Sequence, residues 1–248
     1  MLRHDFTYSH YLESIDKARA MGYRIATFKD IKLRKVKGSI ILFRHDIDFS
    51  LERAAAMAEV EKESNVRATY FPMLHSPYYY LFGNRHLLKT ILQKKHDVGL
   101  HYEVEMPRES ENLKKELLRE IRVLESYLGI TIAAFSEHNP RKIAGEAKIR
   151  GYLNAYAMSS FKYISDSVQH WREGCLCQHL GSFHRLQVLI HPIWWTEEGS
   201  DRKTILGELE RLAVSKVRET YNSVRKLHED YLRNLSIVPN HPTWRENQ

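Results

Sequence analysis

A chain of 248 residues with 43% apolar side chains is long enough to bury a proper core, which argues against a disordered or fibrous polymer. Its formal charge of +7 and pI near 9.3 would suit an anionic partner, but the basic residues alternate with acidic ones and no long basic run occurs, which argues against a nucleic-acid footprint. The two cysteines, Cys175 and Cys177 in a Cys-Leu-Cys, are too few for a disulfide framework and lack the paired spacing of a structural zinc site, so a loop without metal is expected there. The start Met1-Leu-Arg-His-Asp has no apolar signal core, and no stretch nears the ~20 apolar residues of a membrane span, so a cytoplasmic protein without a membrane segment is expected.

In chain order, residues 8–21 place Tyr11, Ile15 and Ala18 at helical spacing, with Gly22 as a stop. Residues 23–28 read as a short extended piece and 32–38 as a basic connection. Ile40, Ile41, Leu42 and Phe43 then form a continuous apolar run, the pattern of a parallel strand buried on both faces. The run ends in Arg44-His45-Asp46-Ile47-Asp48. Four ionisable side chains in five residues are costly at the end of a buried strand, and such ends are where parallel α/β folds place their sites. Asp46 and Asp48 are two apart and share a face of an extended chain. One can bind a metal while the other takes a proton from water. The purely structural alternative is a polar strand end that leads into a helix capped by Ser50.

Beyond it, 51–64 reads as a helix, 66–74 as a strand, 85–95 as a helix and 97–101 as a short strand. Residues 110–128 form a long helix with Leu113, Leu117, Ile121, Leu124 and Leu128 on one stripe. A strand over 130–135 runs into Ser136-Glu137-His138-Asn139-Pro140. A helix is expected over 143–150, short strands over 152–157 and 163–165, and a strong strand over 186–190 that ends in His191-Pro192. One or two long helices fill 204–234. Strands alternating with helices argue a parallel α/β architecture. Asp46 and Asp48, His101, His138 and His191 stand at four separate strand ends, which a parallel barrel gathers on one rim, where they would share a metal.

Taken together, several segments resemble the motif series of the polysaccharide deacetylases of carbohydrate esterase family 4, in the divergent branch associated with O-antigen and other surface-polysaccharide biosynthesis. They are Arg-His-Asp-Ile-Asp at 44–48, Ala-Thr-Tyr-Phe at 68–71, Asp-Val-Gly-Leu-His-Tyr-Glu at 97–103, Phe-Ser-Glu-His-Asn-Pro at 135–140, Tyr-Ile-Ser-Asp-Ser at 163–167 with Trp171-Arg172, and Leu-Ile-His-Pro-Ile-Trp-Trp at 189–195. The resemblance implies an α/β fold, a single-domain distorted (β/α) barrel over 1–248 with its core at about 39–195, flanked by an N-terminal helix and C-terminal helices. It implies a zinc-dependent sugar N-deacetylase with one divalent ion as cofactor. Its partner would be an N-acetylated sugar, nucleotide-sugar or lipid-linked saccharide. The family pattern puts the general base on Asp46, metal ligands on Asp48 and His101, the general acid on His191, and the residue that orients it on Asp166.

Two positions depart from the pattern. Where the family has a second histidine there is Glu105, so either Glu105 or His138 completes the ligand set, with His138 preferred. The arginine that usually holds the base is missing from its motif, leaving Arg172 or Arg44 to replace it. These departures admit two other outcomes: hydrolysis of another C–N bond such as a cyclic amide or ureide, or a non-catalytic sugar-binding protein with a degenerate metal site. Tyr78, Tyr79, Tyr80, Trp194 and Trp195 are either an apolar wall for a sugar ring or packing at the barrel end.

Overall fold

The structure, a computed structural model, describes residues 6–103, 110–139 and 147–237. Two compact units make up the chain, residues 1–202 and residues 203–248. The first runs α1 (Tyr8–Ala20), β1 (Arg24–Ala26), α2 (Phe28–Lys32), β2 (Ile40–Ile47), α3 (Leu51–Glu63), β3 (Thr69–Pro72), α4 (Arg85–Gln93), β4 (Asp97–Val98), β5 (Leu100–Tyr102), α5 (Ser110–Leu128), β6 (Ala134–Glu137), β7 (Leu153–Asn154), β8 (Lys162–Ser165), α6 (Leu176–His179) and β9 (Arg185–Ile190).

One sheet has the order β4-β3-β2-β9-β8, with β1 beside the first half of β2, and a second has the order β5-β6-β7. Every pairing is parallel. A parallel bridge between Met73 and His101 links the two sheets. Among the described residues nothing pairs β7 with β8, so the ring is open, as in the incomplete (β/α) barrel expected from the motifs. Because all strands run one way, their C-terminal ends share one rim.

All eight residues of β2 are buried, and the alternation of the strand sorts them. Ile40 and Leu42 face the interior with Ala26, Phe28, Phe71, Ala134 and Phe161. Phe43, on the other face, meets the Tyr11 ring of α1 at 5.2 Å. The same rule sends Arg44 and Asp46 inward and His45 toward the helices. After the strand, the Ser50 side chain accepts from Arg53 N and caps α3, so the capping role and the charged strand end coexist.

The helix-facing side holds a buried carboxylate. Glu61 of α3 is fully buried and accepts from the Tyr11 hydroxyl and from the Tyr70 hydroxyl at 2.6 Å, with His45 Nε2 at 2.8 Å. Burial pushes its pKa up, but His45 and the hydrogen bonds outweigh burial and hold it below the usual carboxylate value.

Several boundaries differ from the sequence expectation. The strand expected over 97–101 is two strands in different sheets, broken at Gly99. A Cβ there would lie 2.3 Å from Phe71 Cε1 and 2.8 Å from the Ala134 carbonyl oxygen, so the chain crosses where only glycine fits. Gly99→Ala should therefore destabilise by about 1–3 kcal/mol through overpacking and lower the melting temperature by roughly 2–12 °C. An unchanged thermal melt would show that the crossing has room to relax. The strand expected over 130–135 lies later, at Ala134–Glu137, because Leu100, His101 and Tyr102 pair with Phe135, Ser136 and Glu137. Over 152–157 only two residues are strand. Tyr156 N turns to Asn154 Oδ1, a side-chain acceptor that starts a 3₁₀ turn in place of the ladder. The helix α2 was not anticipated, although Thr27 and Asp30 form a capping box at its start. Of the helix expected over 143–150, residues 143–146 lie outside the described residues and 147–150 are not helical.

The second unit carries all but the first residue of α7 (Arg202–Ile237), one continuous helix. Val217, Tyr221, Val224 and Tyr231 are exposed along it at helical spacing. Among the described residues no helix is long and apolar enough to cross a membrane.

Candidate metal and catalytic site

The open ring brings the strand ends together. Asp48 follows β2, His101 lies on β5, and His138 follows β6. His101 Nε2 is 3.2 Å from Asp48 Oδ1, His138 Nδ1 is 3.6 Å from the same oxygen, and the two ring nitrogens are 3.2 Å apart. Tetrahedral bonds of about 2.0–2.2 Å to nitrogen and oxygen place neighbouring ligand atoms about 3.3–3.6 Å apart, so the three separations fit a divalent ion of zinc's size. Asp48 Oδ1 is buried and has no hydrogen-bond partner, an acceptor left for a cation. His101 Nδ1 lies 2.7 Å from Ser136 Oγ, which fixes the ring and leaves Nε2 for the shared position. The His101 and His138 rings that face it overcome burial and hold the Asp48 carboxyl well below the usual range. His138→Ala should drop bound metal well below one ion per chain, measured by elemental analysis after zinc loading and gel filtration; full retention would remove His138 from the set. Glu105, the other candidate ligand, lies outside the described residues.

Asp46 sits beside this triad, with Oδ2 3.7 Å from His101 Nε2. Arg44, two residues earlier on the same face of β2, grips it with two bonds, Nε to Oδ1 at 2.9 Å and Nη2 to Oδ2 at 2.5 Å. Arg44 Nη2 also donates to Ser136 Oγ at 2.9 Å and to the Tyr156 hydroxyl at 3.0 Å. Of the two arginines considered for this role, Arg44 is fully buried against Asp46, whereas Arg172 is exposed in a turn. Burial alone would raise the Asp46 pKa; the Arg44 charge prevails and lowers it, so the carboxylate stays ionised. Ser136 and Tyr156 were not singled out from the sequence. Ser136 had a signal, since it precedes the His138 strand end and faces inward with His101 by register.

His191, just past β9, is held by Asp166 on the loop after β8. Asp166 is fully buried, accepts from His191 N at 3.0 Å and lies 2.6 Å from His191 Nδ1; it also accepts from Trp195 Nε1 at 2.8 Å. Burial opposes the charged imidazolium, but the Asp166 carboxylate outweighs it and raises the His191 pKa to about 9. The other ring nitrogen, Nε2, turns to the triad and lies 3.6 Å from Asp48 Oδ2.

The aromatic residues divide. The Tyr79 hydroxyl accepts from Met73 N at 2.8 Å and donates to the Ile47 carbonyl at 2.7 Å, tying the ends of β2 and β3 together. Trp195 is buried against Phe6 and Tyr11. These two are packing at the barrel end, not a sugar wall. Tyr78 and Tyr80 are exposed. A cavity of about 360 Å³ opens on His101, between Met73, His75, Tyr102 and Leu117.

No family model matches the chain, and no curated protein matches it. Among solved structures it is similar to IcaB from Ammonifex degensii, at 17% identity over 52% of this chain and 65% of that one, with a TM-score of 0.42. It is similar to a carbohydrate esterase family 4 pseudoenzyme from Bacillus anthracis, at 15% identity over 71% of this chain and 62% of that one, TM-score 0.46. A family 4 carbohydrate esterase from Bacillus anthracis matches at 15% identity over 77% of this chain and 87% of that one, TM-score 0.45. The match spans slightly under two thirds of the first two of these chains. At this wide sequence distance, the chain is similar to structures that include named members of carbohydrate esterase family 4, the family its motifs resemble.

Proposed function

We propose that the chain is a metal-dependent hydrolase that removes the N-acetyl group from a sugar precursor, nucleotide-linked or lipid-linked, in surface-polysaccharide (O-antigen) assembly. The observation that supports hydrolysis is the convergence of an aspartate–histidine triad, an arginine-held carboxylate and an aspartate-held histidine at one rim. The sugar class rests on the motif series at 44–195.

Asp48, His101 and His138 would hold the ion. Bound there, a divalent ion such as zinc supplies a polarised amide carbonyl and a water whose pKa falls toward ~7. Asp46 takes the proton of the attacking water. The Arg44 pair lowers the basicity of Asp46 in return for a fixed orientation, and each carboxylate oxygen keeps lone-pair capacity beyond the Arg44 bonds. His191, charged at neutral pH through Asp166, gives its Nε2 proton to the departing nitrogen. Water thus adds hydroxyl to the acyl carbon and hydrogen to the nitrogen, giving acetate and a free amino sugar. An amine anion is a poor leaving group, so amide cleavage needs that proton. His191→Ala should therefore impair amide cleavage far more than cleavage of an activated acetate ester; equal losses would take the acid role from His191.

The reading is tested by incubating zinc-loaded protein with N-acetylated hexosamines in free, nucleotide-linked and lipid-linked forms. Acetate and free amine should appear in equal amounts from at least one. Bound zinc with no acetate from any would defeat it. Saturable sugar binding without turnover would then favour the binding-protein reading, and turnover of a cyclic amide the altered-bond one.

A further inference from the structure

A second group of ligating side chains lies on the other face of the sheet. His10, in the first turn of α1, has Nε2 3.1 Å from Cys175 Sγ, across 165 residues of sequence. Cys175 immediately precedes α6, and Cys177 lies in its first turn. One ligand atom from each of the three falls within 4.8 Å of the others. Neither cysteine is in a disulfide; Cys175 is buried and Cys177 half-buried. A cavity of about 10 Å³, the room of one small ion or water, lies between His10, Cys175, Trp171, Val188 and Trp195. Val188 pairs in register with Phe43, whose face is the helix-facing one, so this cluster is separated by the sheet from Asp46 and Asp48.

We infer that His10, Cys175 and Cys177 form a second metal site, for a thiophilic dication of the zinc class. Two thiolates and one imidazole are the donor set that soft and borderline ions select over magnesium or calcium. Tetrahedral bonds of about 2.3 Å to sulfur and 2.0–2.1 Å to nitrogen separate ligand atoms by about 3.5–3.8 Å, so closing the set asks for about 1 Å of movement, within reach of a rotamer change at half-buried Cys177. The exchange balances without a redox step. Two S–H bonds break and release two protons to solvent, two metal–sulfur bonds and one metal–nitrogen bond form, and the two thiolate charges neutralise the dication. A neutral cluster is what an apolar wall of Val188, Trp171 and Trp195 tolerates. A fourth position stays for water. The ion would clamp α1 to the segment between β8 and β9 that also carries Asp166. Cys-Leu-Cys alone has no zinc-site spacing; His10 supplies what the local sequence lacks.

Cobalt(II) separates this site from the rim, because only thiolate ligands give sulfur-to-cobalt charge transfer in the near ultraviolet. The reduced, metal-free protein is titrated with cobalt. Wild type should take two equivalents and develop the band. Asp48→Asn should lose one equivalent and keep the band, while Cys175→Ser/Cys177→Ser should lose the other equivalent and the band. His10→Ala should need more cobalt for half-saturation, by a factor above the ~10–100-fold cost of losing an outer-shell partner. Thermal melts of each apo variant report folding. Absence of the band in reduced wild type at saturating cobalt overturns the site, and so does an undiminished band in either single serine variant. If Asp48→Asn abolishes the band, the two sites are not separate and the inference also fails.

Discussion

Replacing Asp46 with asparagine should lower amide hydrolysis by about 10²–10⁴-fold, the usual contribution of a positioned acid or base, with bound metal near the wild-type level. Asparagine keeps the shape of the side chain and abolishes its basicity. Asp48→Asn should fail differently, by losing metal, because Asp48 Oδ1 lies within 3.6 Å of both histidine nitrogens. The substitution at 46 has a structural cost as well. Arg44 is fully buried and would keep, among the described residues, Ser136, Tyr156 and the asparagine oxygen as hydrogen-bond partners, and breaking a buried pair costs about 3–5 kcal/mol. Turnover is therefore compared at a temperature where near-ultraviolet circular dichroism reports a folded variant, with zinc content measured on the same sample. Undiminished acetate release by a folded, metal-loaded Asp46→Asn would remove the base role from Asp46.

Glu61→Ala should be the most destabilising single change away from the rim. It strands the Tyr11 and Tyr70 hydroxyls and the His45 ring in the interior. A loss of about 3–5 kcal/mol is expected, seen as a melting temperature lower by roughly 6–20 °C. The pH dependence follows from the direction of two shifts. Glu61 has a lowered folded pKa, so its contribution is present above the ordinary carboxylate value and is lost as pH falls through the lowered one. His96 also has a lowered folded pKa, set by burial against the pull of Glu61. Below the ordinary histidine value the unfolded chain therefore binds more protons, and stability falls there too. Wild type should lose stability in two stages on acidification, and in Glu61→Ala the lower stage should be smaller, reduced to what the likewise lowered Asp46 and Asp48 contribute. A variant with wild-type stability at neutral pH would show that the interior network carries no net energy.

Much of the rim was legible because parallel strands convert a sequence pattern into a place. A buried apolar run that ends in charge must end at the C-terminal rim, and Asp46, Asp48, His101, His138 and His191 all follow such runs. The Arg44–Asp46 pair was legible as one of two options: with the expected motif arginine missing, the sequence leaves Arg44 and Arg172 for the role, and residues two apart on a strand share a face, but only the burial of Arg44 against Asp46 separates the two. Glu61 also left a trace. Ala54, Met57, Ala58 and Glu61 are buried along one face of α3 at helical spacing, so the pattern alone puts a carboxylate inward, but its partners lie on α1, β2 and β3 and no local window contains them. Gly99 illustrates a different limit. Residues 97–101 have the composition of one strand, and only the Phe71 ring and the Ala134 carbonyl, both distant in sequence, make the chain pass from one sheet to the other. His10 and Cys175 meet by the docking of α1 on α6, which no spacing announces. Tyr79 differs from Tyr78 and Tyr80 in being buried with its hydroxyl between Met73 N and the Ile47 carbonyl, which nothing in a run of three tyrosines announces.

Anomalous diffraction at the zinc absorption edge, from crystals of the zinc-loaded protein, reads the ligands of the rim ion without reference to activity. The expected result is a peak bonded to Asp48, His101 Nε2 and His138 Nδ1 at about 2.0–2.2 Å, with Asp46 beside it and still paired to Arg44. A peak bonded by Glu105 in place of His138, or no peak at this rim, would contradict the site as it is assigned.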